Sequence, residues 1–291
     1  MFRGVYTALV TPFNTDGSID EGALRNLVDL QISAGVQGIV PMGTTGESPT
    51  VTHEENIRVV EVVADQAKGR LAIIAGTGSN STAEAVRMTR LAQDVGATAS
   101  LQVTPYYNKP TQEGLYRHFT TIADAAELPI MVYNIQGRTA CNVETDTMLR
   151  LAAHPRIVAV KEASGSMAQV MELISVRPEG LAVLSGDDNL TLPIMALGGE
   201  GVVSVASNIA PRMMGRLVNA ILDGRLEEAQ ALHYSLLPLF RSVFLQTNPI
   251  PIKYALSSRK LIAEAYRLPL CPLDQQDKEK MEAVLEQVQP E

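Results

Sequence analysis

The stretch IMVYNIQGRTACNVETDTMLRLAAHPRIVAVKE, Ile130 to Glu162, holds one full period of the chain. A short apolar run, Ile130–Tyr133, is followed by residues at helical spacing and then by a second apolar run, Ile157–Val160. Runs this short and this continuously apolar read as strands covered on both faces, and a helix between them makes the two strands parallel.

Working outward, the same unit recurs in both directions. Val5–Val10, Gly38–Met42, Leu71–Ala75 and Ala99–Val103 precede it, and Ala182–Leu184 and Val202–Val205 follow, so strand candidates occur eight times. Asp20 precedes one helix, and Thr52-His53-Glu54-Glu55 and Ser81-Thr82-Ala83-Glu84 both read as capping boxes. Eight strand–helix pairs close into a (β/α)8 TIM barrel more naturally than into a doubly wound open sheet. The barrel is assigned to residues 1–224. Strand signals stop after Pro211, and Gly215–Ala231, Tyr234–Leu245, Ile252–Ala265 and Asp274–Val288 read as helices, broken by Pro249, Pro251, Pro269 and Pro272. The last three form a C-terminal helical region, residues 225–291, packed on the barrel because no low-complexity linker separates them.

Composition narrows the function. A chain of 291 residues, 46% apolar, buries a large core, and its net charge of −8 is spread without a run of one sign. No basic stripe is offered to a nucleic acid. Met1–Tyr6 lacks the apolar core and cleavage site of a signal peptide, and no apolar run reaches membrane length, so a cytoplasmic protein is expected. Cys141 and Cys271 read as two free thiols, and His53, His118, His154 and His233 are too scattered to suggest a zinc site.

In such a barrel the chemistry lies at the carboxyl ends of the strands. Lys161 closes the run Ile157–Val160 and, by strand alternation with Ile157 and Ala159, faces the barrel interior. Burial disfavours an ammonium and yields a nucleophilic amine suited to imine formation; a buried ion pair with Glu162 or Asp187 is the competing reading. Tyr133, alternating with Met131, faces inward one strand away and reads either as a proton relay or as a buried ring with a satisfied hydroxyl.

Gly43-Thr44-Thr45-Gly46-Glu47-Ser48 leads into a capped helix, so its amides and hydroxyls suit a carboxylate; the Gly-Lys-Ser/Thr ending of a nucleotide loop is absent. Gly76-Thr77-Gly78 reads as a tight turn, and no nicotinamide cofactor is expected. Arg138 offers a planar fork to a second carboxylate or lies free on the surface. Asp187, Asp188 and Glu162 raise the alternative of a magnesium-stabilised enolate, though rim carboxylates more often serve hydrogen bonding. Cys141 reads as a packed thiol.

Gly43–Glu47, Tyr133-Asn134-Ile135 with Arg138, and Val160-Lys161-Glu162 resemble the signatures of the N-acetylneuraminate lyase superfamily of class I aldolases, along essentially the whole chain. Within it, the run Thr104–Gly114, Gly137-Arg138-Thr139 and Ser185–Asp188 are similar to the 4-hydroxy-tetrahydrodipicolinate synthases. Neuraminate lyases usually carry Ser-Thr-Gly in place of Thr44-Thr45-Gly46 and lack the arginine.

The resemblance implies that Lys161 forms an imine with pyruvate, whose carboxylate rests on Thr44 and Thr45. The derived enamine then adds to L-aspartate 4-semialdehyde, with Arg138 holding that substrate's carboxylate. It further implies a proton relay of Tyr133, Thr45 and Tyr107, the last from a neighbouring subunit of a homotetramer, and a pyruvate pocket lined by Gly186 and Val203. No metal or organic cofactor is implied. A cleft formed by Ser48, His53, Asn80, Glu84 and Tyr106 matches the site where lysine inhibits many relatives, with Glu84 for the amine and Asn80 for the carboxylate. Three departures stand out: Gln136 in place of proline, Val203 in place of isoleucine, and Asn56 in place of histidine. The implied alternative is a sugar-acid aldolase on the same scaffold.

Overall fold

The structure is a computed structural model that describes residues 2–287. Eight strands, β1 (Gly4–Ala8), β2 (Gly38–Val40), β3 (Ala72–Gly76), β4 (Ala99–Val103), β5 (Ile130–Asn134), β6 (Ile157–Glu162), β7 (Ala182–Ser185) and β8 (Gly201–Ser204), pair in sequence order. All pairs are parallel, and β8 returns to β1 to close the barrel. Helices α1 (Glu21–Ala34), α2 (His53–Ala67), α3 (Thr82–Asp94), α4 (Gln112–Ala125), α5 (Gln136–Thr139), α6 (Thr145–Ala152), α7 (Met167–Val176), α8 (Thr191–Ala196) and α9 (Pro211–Leu222) lie between and after the strands. Among the described residues no helix is long and apolar enough to cross a membrane.

Both faces of the strands are buried, which is why the runs look continuous rather than alternating. One face fills the barrel with residues such as Tyr6, Ile74, Met131, Ala159 and Leu184. The other packs on the helices, through Ile130, Val132, Val160 and Val183. Strict alternation fails at one place. Ile157 belongs to the outer layer, because the register slips between Ile130 and Met131, so that Ile157 pairs with Ile130 but Ala159 with Met131. The extra residue restores the phase beyond it, and Lys161 still faces inward.

The helix starts follow local chemistry. Thr52 and Glu55 form the full capping box, whereas Ser81 accepts only the Glu84 amide, since the Glu84 carboxylate is drawn to Ser79 and His53. The C-terminal boundaries differ from the sequence reading. Gly224, at φ +72°, ends α9, and α10 (Leu226–Ser242) then runs unbroken through the expected break at residues 232–233. That glycine is the stop signal that the apolar periodicity overran. Helix α11 (Ile250–Ser258) stops well before Ala265, and α12 covers Gln275–Leu285; Val288 lies outside the described residues. Helix α10 packs on α9, and α12 on α10 and α11.

Candidate active site

Lys161 ends the inward face of β6 and pairs in register with Tyr133 of β5. Its side chain is 5% exposed, and Nζ sits 4.1 Å from the centroid of the Tyr133 ring. Burial lowers its pKa to about 8; Asp187 and Asp188 oppose the shift through space and Arg138 adds to it. No ion pair to Lys161 forms among the described residues. Glu162 points the other way, accepting from the Ser164 amide at 2.7 Å and from Asn134 Nδ2 at 3.2 Å. Asp188 is likewise committed, receiving the amides of Val205 and Ala206 at 3.0 and 2.9 Å. Among the described residues these acids do not form a group arranged to hold a metal ion, and of the two readings of Lys161 the ion pair is lost.

Room beside Lys161 is made by Gly186. A Cβ there would lie 3.1 Å from Lys161 Cε and 2.7 Å from the Ala163 Cβ, closer than side chains pack. Val203 lines the same interior from β8, fully buried.

The Tyr133 hydroxyl is pushed well above the usual phenol range, by burial first and by Asp187 second, so it stays protonated at neutral pH. The Thr44 side chain opposes part of that shift. This differs from the expectation for Thr45, whose hydroxyl accepts instead from Asn248 Nδ2 at 3.0 Å. The reason is the turn: residues 44–46 form one 3-10 turn, which sends successive side chains in different directions. Met42 and Glu47, at φ 59° and 57°, hold the left-handed conformation on either side of that turn.

Arg138 lies on α5, a single helical turn rather than an open loop. Thr139 anchors this turn: its hydroxyl donates to Ile135 O at 3.0 Å and receives Thr104 Oγ1 at 2.9 Å. That bond fixes the turn without the proline that Gln136 replaces. Arg138 Nη2 reaches the carbonyl of Asn248 at 3.4 Å. The Gly76 and Gly78 turn packs backbone on backbone, with a Cβ at Gly76 falling 2.1 Å from Met42 O.

Tyr107 stands apart, 91% exposed at φ +74°, away from Lys161. Cys141 is buried and free, as a packed thiol should be.

A cavity of about 290 Å³ joins Thr44 and Arg138 to Ser48, His53, Glu84 and Tyr106. His53 Nε2 meets Glu84 at 2.8 Å, and Asn80 Nδ2 ties down the Tyr106 carbonyl at 3.2 Å rather than lining the cavity. Asn56 is 7% exposed in its wall, and its Oδ1 has no partner among the described residues.

Two contributors were missed in the sequence. Asn248 bridges Thr45 and Arg138. Lys253 of α11, fully buried, pairs with Glu47 of the carboxylate loop and lies over the rings of Phe13 and Tyr266 at 4.2 and 5.3 Å. Lys253 did carry a signal, because it shares a helical face with Ile250 and Leu256.

Residues 1–288 match the dihydrodipicolinate synthetase family. The 4-hydroxy-tetrahydrodipicolinate synthase of Trichlorobacter lovleyi is 50% identical over 287 residues, 99% of each chain. That of Thermodesulfovibrio yellowstonii is 51% identical over 285 residues, 98% of each. Among solved structures, dihydrodipicolinate synthase from Aquifex aeolicus superposes with a TM-score of 0.96 at 45% identity, covering 98% of this chain and 97% of that one. The chloride-inhibited enzyme of Acinetobacter baumannii, complexed with pyruvate, gives 0.97 at 42% identity over 99% of each chain. The Cyanidioschyzon merolae protein with lysine bound gives 0.96 at 41% over 98% of each. With a family match across nearly its whole length and relatives at half identity, this chain belongs to the dihydrodipicolinate synthetase family.

Proposed function

We propose that the chain is a 4-hydroxy-tetrahydrodipicolinate synthase that condenses pyruvate with L-aspartate 4-semialdehyde. The observation that carries this is Lys161: a buried amine of lowered pKa, without an ion-pair partner, set against an inward phenol on the next strand. The amine attacks the pyruvate ketone and expels water, giving a protonated imine. That cation takes up the electron pair when a methyl proton leaves, so no other electron sink is required. The resulting enamine attacks the aldehyde, whose oxygen is protonated. The substrate amine then attacks the imine carbon, a new carbon–nitrogen bond closes the ring, and Lys161 leaves with the proton that the amine gives up.

Tyr133 is the proton carrier closest to this chemistry. The threonine side chain that bears on its hydroxyl is Thr44, so we place Thr44 in the relay and leave Thr45, with Gly186 and Val203, to the pyruvate pocket. The exposure of Tyr107 suits a residue that completes a partner's site, within a homotetramer. Arg138 takes the semialdehyde carboxylate, which favours this reading over a sugar-acid aldolase. The cavity at His53 and Glu84 suits lysine as an inhibitor, and a relative of the same fold has been solved with lysine bound.

A coupled assay decides the acceptor. Turnover of pyruvate with aspartate semialdehyde, and none with N-acetylneuraminate or 2-keto-3-deoxy acids, is the expected result; the reverse overturns the proposal. Inhibition by millimolar lysine at subsaturating pyruvate checks the cleft, and an unchanged rate removes it.

A further inference from the structure

We propose that Lys253 is a positioning residue for pyruvate: its ion pair with Glu47 fixes the turn that receives the carboxylate of the keto acid, and this rests on the synthase reading above.

The turn Thr44–Gly46 carries the amides and hydroxyls assigned to that carboxylate, and Glu47 closes it in left-handed backbone, at φ 57° and ψ 34°. A residue with a side chain keeps this conformation only where its surroundings impose it. From the end of β1, Thr11 Oγ1 donates to the Gly46 carbonyl at 2.6 Å, and the Glu47 amide donates to the Thr44 carbonyl at 3.1 Å, so Glu47 and the turn move together. The Glu47 side chain is fully buried, with one carboxylate oxygen taken by Lys253 Nζ and the other 3.5 Å from the Arg267 amide nitrogen. Lys253 is held in its turn. Its Nζ lies 4.2 Å from the centroid of the Phe13 ring, and the Arg267 guanidinium lies 4.5 Å from the same centroid. Arg267 forks onto the Glu55 carboxylate at 2.7 Å to each oxygen and donates to the carbonyls of Gly17 and Thr50. The segment from α11 to Arg267 thereby grips the loops that follow β1 and β2.

A buried ion pair is a weak source of net stability, because apolar side chains of similar volume do as well or better. What this pair supplies is direction, since one member stands on α11 and the other is the residue next to the turn. The consequence falls on one part of the substrate. A carboxylate bound by the turn is sensitive to a small displacement of its donors, whereas a carbonyl compound without a carboxylate meets only Lys161 and the space at Gly186.

The test compares pyruvate with acetaldehyde, which is pyruvate without its carboxylate. The rate of cyanoborohydride trapping on the peptide that carries Lys161 is measured for wild type, Lys253→Met and the uncharged pair Lys253→Met/Glu47→Gln, with stability followed by denaturant titration. Lys253→Met should lower the preference for pyruvate over acetaldehyde by roughly tenfold to a hundredfold, the cost of a misplaced binding group. In the double variant the stability should partly return while the preference stays low. If Lys253→Met does not fold, the double variant decides by the same ratio. A preference that is unchanged in both variants, that recovers together with stability in the double variant, or that survives because trapping of both compounds falls equally, overturns the proposal: the pair then only holds α11 to the barrel. A wild type with no preference for pyruvate refutes the pyruvate reading itself, which is a different result.

Discussion

Two lysines are buried among the described residues, one on strand β6 and one on helix α11, and their surroundings differ. Lys161 is 5% exposed, lies over one ring, and has no ion-pair partner among the described residues. Lys253 is fully buried, lies over two rings, and is paired with Glu47. Burial lowers the pKa of both. The difference lies in what opposes burial: Glu47 touches Lys253, whereas Asp187 and Asp188 reach Lys161 only through space. Burial alone does not make a nucleophile; an amine must also be left unpaired, with space such as Gly186 leaves beside it.

Exchanging each lysine for methionine should separate the two roles. Lys161→Met should reduce turnover to background, measured in the coupled assay, and stabilise the fold by on the order of 1–3 kcal/mol at pH 7, because an unpaired buried ammonium is removed. The sign follows from linkage: the folded pKa of about 8 lies below the ordinary 10.5, so the folded state binds fewer protons and the penalty fades as pH rises from about 8 to 10.5. The stability gap between variant and wild type should close over that window in denaturant titrations.

Lys253→Met should instead destabilise by about 3–5 kcal/mol, because it strands the Glu47 carboxylate. Adding Glu47→Gln should recover part of that loss in the same titration. A Lys253→Met protein as stable as wild type breaks the comparison.

Smaller changes sharpen it. Tyr133→Phe should leave the fold intact and lower kcat by about 10²- to 10⁴-fold, the usual worth of one positioned proton carrier. Gly186→Ala should slow imine formation by up to about a hundredfold, since the added methyl crowds Lys161 Cε. Below pH 8 the rate of pyruvate trapping by wild type should rise about tenfold per pH unit and then level off, tracking the free amine.

The same pair shows what was legible in the sequence. The barrel followed from period and strand length, and Lys161, Tyr133 and Arg138 followed from where the strands end. Lys253 satisfied the argument used for Lys161, a lysine on an apolar face, but its partner Glu47 lies 206 residues away and no local pattern joins them. Asn248 was hidden for the same reason, standing 203 residues from Thr45. Thr44 and Thr45 could not be told apart, because their roles depend on a turn bracketed by Met42 and Glu47 in left-handed backbone that neither side chain advertises.

The most direct test is to incubate the protein with pyruvate, reduce with borohydride, and map the adduct by peptide mass spectrometry. One modified lysine is expected, Lys161, with Lys253 untouched. Modification at Lys253 or another lysine, or no adduct at all, would contradict it.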